Sequence, residues 1–164
     1  MQIIKHFKTI TRHKYLVGKY CFKLGLYWQG IIHDLSKYSF TEFYNGAKYY
    51  QGYRSPIDQE RAIKGYSEAW LHHKRNKHHI VYWNDIGNPV PIPKKYIKEM
   101  VCDRIAAGMV YCGKDFKSEN PLNFFLKGKE QYNMNQESKE LLITYLTIIK
   151  DYGVNKGLKK IKSL

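Results

Sequence analysis

Ile3, Phe7, Ile10, Val17, Cys21 and Leu24 recur at steps of three and four, with one gap of seven that His13 fills on the same face. That spacing is the apolar stripe of an amphipathic helix. Gly25 and Gly30 in "LGLYWQG" follow as places to stop and turn. Beyond the turn stand His33 and Asp34, in "GIIHDLSKYSFTEF". His13 and His33 are 20 residues apart. On one straight helix they would be separated by about 30 Å and could not meet. A reversal near residue 23 brings them level, and Gly25 lies beside that midpoint. A helical hairpin at Gly25 is therefore the geometry in which both histidines reach one ion.

The rest of the chain is also helical in pattern. Ser39 and Glu42 form a capping-box signature that predicts a helix from about 40 to 50. A helix is predicted over 57–76, with Pro56 near its first turn. "NDIGNPVPIPKK" holds three prolines and reads as a loop, with room for a short extended piece within 80–92. "KYIKEMVCDRIAAGMVYCG" predicts a helix ending at Gly113. Two more helices are expected near 120–131 and 136–152, followed by a short basic tail helix. No repeat or Gly/Ser/Pro-rich linker divides the chain. The expectation is one all-α domain over 1–164, a helical bundle with its motif-bearing core at about 10–112 and C-terminal helices at 120–164.

Composition narrows the function classes. No apolar run approaches membrane-spanning length, so no membrane partner is expected. Charge breaks up the first residues too often for a signal peptide. Cys21, Cys102 and Cys112 are three cysteines without a C-x-x-C pair. That argues against a disulfide framework or a four-cysteine zinc site, and for a cytoplasmic protein. The net charge of +14 favours anionic partners such as nucleotides, nucleic acid or phosphorylated metabolites.

Histidine and carboxylate cluster in helical context. His72, Asn76 and His79 fall at i, i+4 and i+7, sharing a face if their helix continues that far; if it frays, His78 or His79 faces inward. Asp103 lies on a stripe with Tyr96, Met100, Ala107 and Val110, where a carboxylate needs a cation or donors. Imidazole and carboxylate are the ligand set for a divalent transition metal: Mn, Fe, Zn, Co or Ni. An inward histidine is by itself an ordinary hydrogen-bonded core residue, and a histidine-rich run an ordinary solvated surface. The conjunction of His13, the turn, His33–Asp34, the cluster at 72–79 and Asp103 points to a metal.

The order His … His-Asp … His … His … Asp on an all-helical chain resembles the HD-domain superfamily of metal-dependent phosphohydrolases. "HDLSK" is close to the H-D-x-x-K form found in part of it. More closely, "HDLSKYSFTEF", "HHKRNKHHIVYW" and "EMVCDRIAAG" resemble a small bacterial and phage family of unknown function. Its middle motif reads H-x-x-x-N-x-H-H followed by Pro-Glu, and its last reads E-M-x-x-D-W. His72, Asn76, His78, His79, Glu99, Met100 and Asp103 match; Ile80 and Val81 replace Pro-Glu, and Arg104 replaces Trp.

The resemblance implies one or two divalent ions. His13, His33, Asp34 and Asp103 would hold the first. His72 with His78 or His79 would complete a second site, with Asp34 bridging. It implies phosphate-ester hydrolysis by a metal-activated water, on a nucleotide or another small phosphorylated substrate. Lys37, one helical turn after His33, would orient the phosphate or the water; Lys74, Arg75, Asn76 and Arg104 are substrate-binding candidates. Two alternatives stand beside it. One is iron-dependent oxygenase chemistry on the same fold. The other is non-enzymatic binding of nucleotide or nucleic acid through basic and aromatic residues.

Overall fold

A computed structural model describes residues 1–128 and 133–164. The chain is all-α. Its helices are α1 (Ile3–Lys23), α2 (Tyr27–Ile32), α3 (Phe40–Lys48), α4 (Pro56–Lys64), α5 (Glu68–His73), α6 (Lys94–Cys112), α7 (Asn120–Lys127) and α8 (Gln136–Lys162). The expected extended piece within 80–92 is a two-stranded antiparallel ribbon, β1 (Asn84–Asp85) with β2 (Asn88–Pro89). Of the helix expected near 120–131, residues 129–131 lie outside the described residues. No helix among the described residues is long and apolar enough to cross a membrane.

The hairpin forms where the sequence puts it. α1 stops at Lys23, Gly25 takes φ +76°, and α2 returns along α1. The two helices approach closely at paired glycines: a methyl group on Gly18 would come within 3.2 Å of the Gly30 carbonyl oxygen. The main core joins α1, α6 and α8 through fully buried Val17, Cys21, Met100, Ile105, Leu142 and Ile149, with Leu122 and Phe125 of α7 packed in. α8 carries the expected tail helix as its last part, beyond a break at Gly153 (φ +73°).

Two expectations need correction. The predicted 57–76 helix is two helices, α4 and α5. Gly65 ends α4 in a left-handed conformation (φ +81°), and Ser67 starts α5 by accepting from the Trp70 amide. Buried Glu60 fixes the corner, accepting from Ser67 Oγ (2.5 Å) and the Glu68 amide (3.1 Å). The N-terminal stripe is also rotated. Ile3 and Phe7 are exposed, and His6 takes the inward position.

His6 is packed beside the Phe43 and Tyr50 rings, and a methyl group at Gly46 would overlap its imidazole. Burial, and then the charge of Lys37, lower its pKa to about 4. Unfolded histidine takes up its proton near pH 6.5, so the neutral packed ring contributes fully above that pH. The contribution falls as pH drops from 6.5 towards 4. Urea titrations with chelator present are expected to show a loss of up to about 3 kcal/mol across that window. His6→Gln should flatten this part of the profile; an unchanged slope would count against a buried neutral His6.

Candidate metal centre

The centre is built around a bend. α2 ends at Ile32, His33 is outside the helix, and Asp34 takes φ +56°, ψ +21°. A non-glycine residue there is uncommon, and aspartate tolerates it better than most. The bend turns both side chains inward, leaving His33 1% and Asp34 2% exposed. Lys14 Nζ donates to the carbonyl oxygens of Ile31 (2.5 Å) and His33 (3.0 Å), groups stranded by the helix end. Lys37 was expected one helical turn after His33. It lies instead on a separate 3-10 turn, Leu35–Tyr38, and its Nζ meets Asp34 Oδ2 at 2.5 Å.

Each Asp34 oxygen addresses a different group of ligands. Oδ2 lies 3.3 Å from His13 Nε2 and 3.5 Å from His33 Nε2. Asp103 Oδ1 closes this group, 3.1 Å from His13 Nε2 and 3.7 Å from His33 Nε2. Oδ1 lies 3.4 Å from His73 Nε2 and 3.2 Å from His78 Nε2. His79 joins the second group, with one ligand atom each of His73, His78 and His79 within 4.8 Å of one another. The Nε2 atoms of His13, His33, His78 and His79 and both Asp34 oxygens are buried without a well-aligned hydrogen bond. Such buried polar atoms are costly unless something satisfies them. The residues therefore fit one or two divalent cations, held by nitrogen and oxygen without sulfur.

A ring of outer carboxylates orients the imidazoles. Glu99 Oε1 lies 2.8 Å from His33 Nδ1 and 3.4 Å from His78 Nδ1. Glu42 Oε2 lies 2.8 Å from His73 Nδ1. These contacts put the N–H on Nδ1 and leave Nε2 free to ligate, the usual outer shell of a metal-binding histidine. Asn76 supports the second group, donating to the carbonyl of His73 (2.9 Å) and to Ser36 Oγ (3.0 Å).

The charges agree with that reading. Burial favours neutral Asp34, but the charges of His33, Lys37 and His73 hold its carboxyl well below the usual range. Desolvation likewise favours neutral Asp103, which is only partly buried, but hydrogen bonds from His13 and His33 hold its carboxyl well below the usual range. Burial also disfavours charged His33, yet Asp34, Asp103 and Glu99 raise it to about 10. Burial beside His78 and His73 pushes His79 well below the ordinary value, leaving its lone pair available. Without a cation, protons on imidazole and lysine balance the carboxylates. A cation bound there would displace such protons.

The sequence profile of DUF5662, a family of unknown function, matches residues 2–148. The chain belongs to this family. No curated protein and no solved structure matches it. The DUF5662 match covers all of the inward-facing residues, from His13 to Asp103.

Several expected roles change. His13, His33, Asp34 and Asp103 come together as expected, and both His78 and His79 join them where one or the other was expected. His72 does not. Its Nδ1 binds Glu42 Oε1 at 2.6 Å, and its side chain is 37% exposed. α5 stops at His73 and the chain turns through Lys74, so the face expected to join His72 with His79 never forms. His73 enters in its place. Asn76, expected to bind substrate, braces His73 through its carbonyl. Arg104, expected to bind substrate, donates to the Met100 carbonyl and lies over the Phe125 ring of α7 at 5.3 Å. Lys74 caps α5, and Arg75 is exposed on the following turn. Glu99 had a legible signal, lying one helical turn before Asp103. Glu42 was legible only as a capping residue, and its carboxylate turns to the histidines.

Proposed function

We propose that the chain is a metal-dependent phosphohydrolase of HD-like type, acting on a nucleotide or another small phosphorylated substrate. One observation carries the reading: Asp34 offers one oxygen to His13 and His33 and the other to His73 and His78. A carboxylate shared in this way suits a centre of one or two ions. Ions bound there supply Lewis acidity and a water of lowered pKa. The chain's own residues supply the rest. Asp103 and Lys37 are the partly open members, with side chains 19% and 25% exposed, so substrate approaches from their side. Burial weakens the charge on Lys37, but Asp34 and Asp103 more than restore it, so it meets a phosphoryl oxygen as a cation. The net charge of +14 favours encounter with an anion.

The test is phosphate release from mono-, tri- and cyclic nucleotides and from p-nitrophenyl phosphate by metal-free protein reloaded with Mn²⁺. Turnover is expected only with metal. Lys37→Ala should lower kcat/KM about a hundredfold with metal content retained. Fully loaded protein that turns over none of these esters would contradict the proposal.

A further inference from the structure

The second feature of the molecule lies outside the metal centre, between α1 and α2. A shallow groove of 520 Å³ runs there, lined by Lys14, Tyr15, Lys19, Phe22 and Ile31 with Gly18 and Gly30 between them. Tyr15 is 67% exposed and Phe22 45% exposed, and Tyr27, 61% exposed, packs edge-on against the Phe22 ring at 5.4 Å. Tyr15 and Phe22 are seven residues apart on one helix, about 10 Å along its axis. Gly18 and Gly30 pack against one another and the Phe22 ring lies over Gly30, so a base would stack on the exposed faces of Tyr15 and Phe22.

The surroundings are cationic. α1 holds no aspartate or glutamate, and Lys14, Lys19 and Lys23 lie along it. Lys23 Nζ donates to Asn155 Oδ1 at 2.6 Å, joining the end of α1 to the last part of α8. There a second groove, of 450 Å³, is lined by Tyr152, Lys156, Lys159, Lys160 and Ser163. The Lys160 ammonium sits 3.6 Å from the Tyr152 ring centre. Lysines and aromatics thus recur on α1–α2 and on the last part of α8, a path joined at Lys23 and Asn155, with the Lys160 ammonium already on the Tyr152 face.

We propose that this path binds single-stranded nucleic acid, with bases stacking in the α1–α2 groove and the backbone following the lysines. Aromatic platforms within a cationic groove are how such strands are held without sequence preference. A membrane surface is the less suitable partner. The aromatics here line a concavity with lysine among them, whereas an interfacial helix presents an apolar face below its charges. The proposal is independent of the phosphohydrolase reading, because the path shares no ligand with the metal centre.

The test uses the full chain and fluorescein-labelled oligo-dT and oligo-U of about 15 nucleotides. Anisotropy is read in EDTA between roughly 50 and 200 mM salt. Binding is expected without metal and should weaken at least tenfold across that range. Lys19→Glu should weaken it about tenfold and reduce the salt slope by about one. Tyr15→Ala should weaken it about tenfold with the slope unchanged. Lys48→Glu makes the same charge change beside the opposite end of α1, where Ala47 binds the Gln2 amide, and should have less than a twofold effect. Equal losses from Lys19→Glu and Lys48→Glu would reduce the effect to net charge and overturn the proposal. So would binding abolished by EDTA, no binding, or binding to anionic vesicles alone.

Discussion

Asp34→Asn should empty the centre completely. Purified wild-type protein is expected to carry one or two equivalents of a divalent transition metal, and the variant less than about a tenth of that. The reason is geometric: Oδ2 serves the group with His13 and His33, and Oδ1 serves the group with His73 and His78. Loss of one carboxylate removes a ligand from both groups. Asparagine keeps the volume, so the fold should survive and circular dichroism should remain helical. It also leaves Lys37 without the anion 2.5 Å from its ammonium, in a site that is 2% exposed at Asp34. Breaking this partly exposed pair removes a favourable contact from Lys37, so a lowered Tm is expected beside the metal loss. Full metal content in a folded Asp34→Asn protein would be incompatible with a bridging role.

Glu99→Gln should produce the next largest effect. Glu99 ligates nothing, but its Oε1 orients both His33 and His78, one from each group. Burial alone would raise its carboxyl, but hydrogen bonds from His33 and His78 hold it low, so the interaction is with a carboxylate. Glutamine keeps the shape and loses the charge that makes those imidazoles stronger donors to a metal. Affinity for Mn²⁺ or Zn²⁺ should fall about 10- to 100-fold, the usual cost of losing an outer partner. Competition with a fluorescent chelator measures it. Wild-type affinity in the variant would show that the Glu99 contacts do not tune the centre.

The parts of this site that were legible in the sequence are those fixed by local geometry. A stripe with His13 in its gap, a glycine at the midpoint and His33–Asp34 beyond it require a hairpin, and α1 and α2 form one. Asp103 was legible because a carboxylate on an apolar stripe needs a partner. The histidine cluster was legible in composition but not in register. Its reading depended on a helix running through residue 76, whereas Gly65 and the cap at Lys74 limit α5 to six residues. Ending a helix at His73 exchanges the inward residue, so His73 replaced His72. Glu42 illustrates a different difficulty. Ser39 Oγ accepts from the Glu42 amide at 3.4 Å, so half of the capping box is real. The other half is absent because the Glu42 carboxylate has stronger partners in His72 and His73, contributed from 30 residues further along the chain. Local pattern cannot express that competition. His6 is similar: its inward position follows from α3 packing across α1, not from the periodicity of α1.

The most direct test of the Asp34-centred metal site is an anomalous-difference map from crystals of the protein purified without chelator, recorded at the absorption edge of the metal found by elemental analysis. Density is expected against Asp34 Oδ2 between His13, His33 and Asp103, and with a second ion also against Oδ1 beside His73, His78 and His79. A map with no peak touching Asp34, from protein that elemental analysis shows to contain metal, would contradict it.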